Sequence, residues 1–204
     1  MSAGNTPLDL VLATAPTVSP LTLEDLRAHL RLVDDDSEDA SIEAYRDAVV
    51  GHLDGPTGIL GRCLVNQTWD YYLPAFPATT RLALPLAPLV SVTSVKYIDA
   101  NAAEQTLASS NYRVLTGSRA EIEFIDTFSA PTLDTRARAV TVRFVAGYGA
   151  AAANVPSAIR AALKLMVGDL HAQRETFVLG DAAYRVQTSV TVDALLRPYM
   201  VMRP

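Results

Sequence analysis

The chain has 204 residues, half of them hydrophobic and 19% charged, a balance that argues against wholesale disorder and allows a body that buries roughly 70% of its unfolded-chain surface. Lys and Arg number 17 against 22 Asp and Glu, a formal charge of -5, which is the wrong sign for a protein built to grip phosphate backbones. A single cysteine, Cys63, excludes an intramolecular disulfide and suits a reducing compartment.

Residues 1–20 hold Pro7, Pro16 and Pro20 among scattered Ser and Thr, the composition of an extended arm with room for a short edge strand through Leu8, Leu10 and Leu12. The stretch LDLVLATAP carries Asp9 and is far shorter than a membrane span, so neither a signal peptide nor an anchor is expected. Thr22 followed by Asp25 reads as a cap with an acidic first turn, and Leu23, Leu26 and Leu30 then share a face of a helix over 22–32. The acidic run Asp34, Asp35, Asp36, Glu38 and Asp39 favours the start of a second helix, over 37–54. Ile42, Tyr45, Val49 and Leu53 form its stripe, and Gly55 with Pro56 end it.

From Leu64 the period changes to two. Val65, Trp69, Tyr71 and Leu73 alternate with Asn66, Thr68, Asp70 and Tyr72, the mark of a strand. Strand-like runs follow at 81–84, 89–99, 112–115, 121–125 and 139–145, separated by Pro, Gly, Asn and Ser clusters. The phase slips between Val92 and Val95, which predicts a bulge near Ser94. The strongest periodic signal is a helix over 156–175, capped by Asn154 and opened by Pro156, with Ile159, Leu163, Met166, Val167 and Leu170 on one stripe. Beyond Thr176 only short apolar groups remain, Phe177 to Leu179, Val190 with Val192, and Leu195, Leu196, Tyr199 and Met200. They predict an arm that awaits a surface. The expected fold is α+β: an N-terminal helix pair, a central antiparallel β region, a long C-terminal helix and an extended C-terminal tail. The expected division is an arm at 1–20, a body at 21–176 and a docking tail at 177–204.

Motifs that carry chemistry are scarce. Gly147, Gly149 and Ala152 spell G-x-G-x-x-A after a strand, as dinucleotide-binding turns do, but Pro156 opens the helix too late for a phosphate to rest on its N-terminus. The acidic run lacks the Gly and Glu of a calcium loop, having Asp39 and Tyr45 in those places. His29, His52 and His171 lie on separate helices with no partner at ligand spacing, Cys63 reads as a small buried residue, and no serine sits in a G-x-S-x-G elbow. Trp69, Tyr71 and Tyr72 suit sheet core and subunit interface better than base or sugar stacking. No catalysis, cofactor or metal is expected.

In order along the chain, LTLEDLRAHLRL, NQTWDYYLPAFP, PLVSVTSVKY, VTVRFVAGYG and VPSAIRAALKLMVGDLHAQRE resemble the head-tail connector, or adaptor, proteins of long-tailed bacteriophages and of gene transfer agents, over 21–175. The resemblance implies a structural protein of the particle neck, made in the bacterial cytoplasm. It further implies a homo-oligomeric ring, usually of twelve subunits, between the capsid portal and the next neck protein, through which DNA passes without specific binding and which meets no membrane. The tail residues Leu195, Leu196, Arg197, Pro198, Tyr199 and Met200 are then the expected portal-binding segment. A stopper of the same neck, a small nucleotide-binding enzyme built on the Gly147–Ala152 turn, and a β-rich module binding sugars or peptides around Trp69 are the alternatives.

Overall fold

The computed structural model describes residues 9–32, 36–116, 120–172 and 190–201. The chain divides into two compact units, one of Met1–Thr17 with Asn66–Tyr148 and one of Val18–Val65 with Gly149–Pro204. The units thus follow secondary-structure type rather than chain order: one holds every strand, the other every α-helix.

In the β unit, strands β1 (Asp9–Thr14), β2 (Gln67–Leu73), β3 (Arg81–Ala83), β4 (Leu89–Ile98), β5 (Glu104–Thr106), β6 (Tyr112–Leu115), β7 (Glu121–Phe124) and β8 (Val140–Ala146) form two antiparallel sheets. Their orders are β1-β2-β8-β4-β5 and β3-β7-β6. The N-terminal stretch is therefore a paired edge strand from Asp9 onward, with residues 1–8 outside the described range. Central strand β8 explains the register. Val140, Val142, Phe144 and Ala146 are buried on one face, while Thr141, Arg143 and Val145 turn to the other. A one-residue slip would exchange these sets, so the pairing is strongly specified. The predicted slip is present, a register shift between Val92 and Ser94 where β4 pairs with β8.

Strand β5 has no hydrophobic alternation to announce it. Pairing with the end of β4 holds it, together with Asp99, whose carboxylate accepts from the N–H of Asn101 and Ala103 and from Gln105 Nε2. Phe76 joins the two sheets edge-on, with ring centroids 5.9 Å from Tyr97 of β4 and 5.8 Å from Phe124 of β7. These are favourable aromatic geometries.

In the helical unit, α1 (Leu23–Leu30), α2 (Asp39–Leu53), α3 (Ser157–Ala172) and α4 (Val190–Leu196) pack through α3. Thr22 caps α1 as expected, its Oγ1 accepting from Asp25 N at 3.0 Å. Of the acidic run ahead of α2, Asp34 and Asp35 lie outside the described residues, as do positions 173–175 of the expected long helix. Ile159, Ala162, Leu163 and Val167 of α3 are buried, as are Leu26, Ile42, Val49 and Leu53 of the preceding pair. Side chains also link α1, α2 and α3 to one another: Lys164 pairs with Asp25 at 2.8 Å, Arg27 with Asp39, and the His171 ring hydrogen-bonds Glu38, which precedes α2, at 2.6 Å.

The hydrogen bond from Lys164, with help from Thr22 and against partial burial, holds the Asp25 carboxyl below its ordinary value of 3.8. The bridge therefore stabilises the fold fully above that value and loses its contribution as pH falls through the lower folded value. Asp25→Asn is expected to lower stability at pH 7, and the gap to the parent should close on acidification below about pH 4 in denaturant melts at stepped pH. Gly51, inside α2, has nothing within 4 Å of where a Cβ would stand. Gly51→Ala should stabilise the chain by about 0.5–1 kcal/mol, read as a raised urea midpoint.

Candidate docking surfaces

Residues 190–201 are folded back rather than extended. Val192, Leu195, Leu196 and Tyr199 recur at helical spacing, so α4 forms against α3 and buries Val192 and Leu196 completely. A 3₁₀ turn, Arg197–Tyr199, continues it. Two further hydrogen bonds fasten the segment to the loop after α2: Val201 N donates to Leu60 O at 3.1 Å, and Arg62 Nε donates to Tyr199 O at 2.6 Å.

That loop, residues 54–64, is rigidly built. Gly55 N donates to Arg62 O at 2.7 Å, Ile59 N to His52 O at 2.9 Å and Leu64 N to Asp54 Oδ1 at 2.6 Å. Gly55 and Gly61 take φ of 75° and 61°, a region that glycine enters without steric cost. Gly58 has no room for any side chain, since a Cβ there would stand 2.4 Å from backbone atoms of Leu53 and Asp54. The loop is a preformed bracket for the C-terminal segment.

The six expected portal-binding residues consequently divide. Leu196 points into the core as the anchor, Leu195 and Tyr199 are half-buried, and Arg197, Pro198 and Met200 are exposed. Ile59, the sequence neighbour of the Leu60 whose carbonyl holds Val201, is 40% exposed, and Met200 and Val201 are 39% and 36% exposed. These apolar side chains, exposed around the hydrogen bond from Val201 N to Leu60 O, are candidates for a partner surface. The expectations for Phe177, Val178 and Leu179 lie outside the described residues.

The three aromatic residues of β2 also separate. Trp69 retains only 7% exposure within the single chain, so it offers a neighbour little surface. Tyr71 is half-buried, which pushes its phenol up. Tyr72 lies on the opposite face, its ring under the Arg138 guanidinium at 4.5 Å, while Arg138 is held in a fork by Asp9 at 2.6 and 2.7 Å. On the same face Arg143 clasps the buried Asp70 through two bonds of 2.7 Å. Of the three, Tyr72 and its charged neighbours belong to the sheet's polar face.

The glycine turn makes no phosphate cradle. Gly147 and Gly149 have φ of 148° and 155°, and Asn154 fills the space a Cβ at Gly149 would need, its Oδ1 accepting from Ala151 N at 3.0 Å. A 3₁₀ turn at Ala152–Asn154 intervenes, and α3 begins only at Ser157. Cys63 is buried. Among the described residues no group of three or more His, Cys, Asp or Glu is placed to hold a metal ion, and no helix is long and apolar enough to cross a membrane.

No protein-family model and no curated protein matches the chain. Solved structures do. A chain of the virion of a native gene transfer agent particle superposes with a TM-score of 0.76 at 25% identity, covering 96% of this chain and 97% of that one. A chain from the neck of an empty gene transfer agent particle, computed with C6 symmetry, gives 0.75 at 24% identity with 96% of each chain covered. One from the neck of a native particle, computed with C12 symmetry, gives 0.63 at 21% identity over 95% of this chain and 97% of that one.

Proposed function

We propose that this chain, a member of the head-tail connector (adaptor) proteins, is a structural adaptor of a particle neck that assembles as a ring and leaves a central channel for DNA. The observation that carries this reading is the likeness over nearly the whole of both chains to a protein of a gene transfer agent virion, which joins both units rather than a widespread single motif. The physics of the chain agrees. A formal charge of -5 per subunit, repeated around a ring, disfavours adhesion of DNA to a channel wall. Side-chain pairs between the three core helices and a rigid bracket at residues 54–64 suit a scaffold.

Within the neck, the patch of Ile59, Arg197, Pro198, Met200 and Val201 is the portal-facing surface, with Leu196 as its anchor and Tyr72 on the side toward neighbouring subunits. The other end of the ring meets the next neck protein. Twelve subunits is the number that the family resemblance and the C12 neck support. A pull-down from cells assembling the particle tests the role, using tagged full-length chain and a version ending at residue 175. Portal recovered by the full chain and lost on truncation is the expected result. Recovery by both would move the portal surface to the rest of the chain, and recovery of no particle protein by either would overturn the adaptor role.

A further inference from the structure

We infer that the outer edge of β1 is a strand-addition site, and that in the assembled neck it takes an extended, apolar segment of a different neck protein as a further strand of the five-stranded sheet. The inference rests on the neck reading above and concerns a surface of the β unit that the portal assignment leaves unused.

Strand β1 ends its sheet and pairs with β2 on one side only. Among the described residues, no backbone hydrogen bond outside that ladder reaches residues 9–14. Half of its N–H and C=O groups therefore point outward in a row. Water or another extended chain can satisfy such a row, and the side chains along it suit a chain. Leu10, Val11, Leu12 and Ala13 follow one another with no charge among them. Val11 and Leu12, on opposite faces of the strand, are 41% and 43% exposed. Asp9 is the one charge of the strand, and the Arg138 fork neutralises it while pinning the strand's first residue. The register against β2 is unbroken over 9–12 and shifts only before Thr14, so this stretch is a regular edge, ready to pair.

The remaining free edges indicate what pairs with it. Strands β5, β3 and β6 end the two sheets, and each has only three or four residues and carries a charge, Glu104, Arg81 or Arg113. Glu104 is tied to Lys96, and Arg81 to Glu123. Shortness and charge are the devices that keep an edge from pairing, so these edges of a second copy are poor partners for β1. Pairing β1 with β1 of another copy uses one surface twice, a two-fold contact that closes a dimer and does not repeat around a cyclic ring. The occupant is thus an extended segment of another protein, with uncharged side chains to lie beside Val11 and Leu12. Main-chain bonds supply its hold, and alternate side chains its selectivity.

The test reads amide exchange over residues 9–14, by mass spectrometry, in the free full-length subunit and in necks isolated from assembled particles. A photoreactive benzoylphenylalanine in place of exposed Ala13 identifies what lies against the edge. Expected are outward amides slowed at least about tenfold in the neck, and crosslinks from position 13 to one extended stretch of another neck protein. Two proline variants add a control. The N–H groups of Val11 and Leu12 point to opposite sides of the strand, and an edge strand tolerates proline only where the lost N–H faces away from the ladder. Of Val11→Pro and Leu12→Pro, the one that melts closer to the parent in urea is therefore the outward variant, and it should lose the crosslink several-fold. Outward amides equally fast in neck and free subunit, crosslinks only to copies of this chain, or a crosslink undiminished in the outward variant would overturn the inference and leave the adaptor role standing. Absence of the chain from isolated necks would overturn the adaptor role, and the inference with it.

Discussion

Gly58→Ala is expected to cost about 3 kcal/mol, the upper end of what overpacking by one carbon costs. The added Cβ would meet Leu53 C, Leu53 O and Asp54 O at 2.4 Å, and backbone atoms at the end of a helix cannot swing away as a flexible side chain can. The 54–64 bracket must then open, and with it the hydrogen bonds from Arg62 and Val201 that fasten the C-terminal segment. The measurement is a urea melt followed by circular dichroism, paired with limited proteolysis. The variant should unfold at lower denaturant and be cut early after residue 172. An unchanged midpoint would mean that the bracket relaxes freely and is no rigid receptor. Gly51→Ala is the control, since it adds the same carbon in open space.

Leu196→Asp is expected to release the C-terminal segment and abolish recovery of portal in the pull-down, with only a minor change in the melting of the rest of the chain. A leucine buried completely at this point contributes about 2–5 kcal/mol when truncated, and an unpaired carboxylate in its place adds a desolvation cost. That total exceeds what one short helix and two hydrogen bonds can offset, so the segment detaches as a local unit. Hydrogen exchange should find the amides of 190–201 unprotected while those of β8 stay slow. Exposed Met200→Ser is expected to leave the segment docked and to weaken portal recovery several-fold. Retained docking with undiminished recovery in both variants would remove this corner from the portal surface.

Much of the fold was legible along the chain. The stripe from Ile159 to Val167, the cap at Thr22, the alternation from Trp69 to Leu73 and the bulge between Val92 and Ser94 are local patterns, and local patterns survive in a linear string because helix and strand periods act over a few residues. The α4 helix lies where an extended tail is expected: Val192, Leu195, Leu196 and Tyr199 have helical spacing, but Pro198 and the polar residues before it favour an extended reading by composition.

What the string could establish by itself was therefore the order and type of the elements, the absence of a spaced catalytic motif and the family resemblance carried by that order. Tertiary structure alone decided that residues on either side of the β region form one helical unit, that Trp69 is interior while Tyr72 lies under Arg138, and that the 54–64 loop holds the C-terminus. The reason is physical: Arg62 and Tyr199 are 137 positions apart, and their bond has no period, spacing or composition to announce it. It exists because α4 packs on α3 and α3 on α2, which brings the two chain segments of the helical unit together. Contacts of that kind depend on the sum of all the packing, and no short window of sequence contains it.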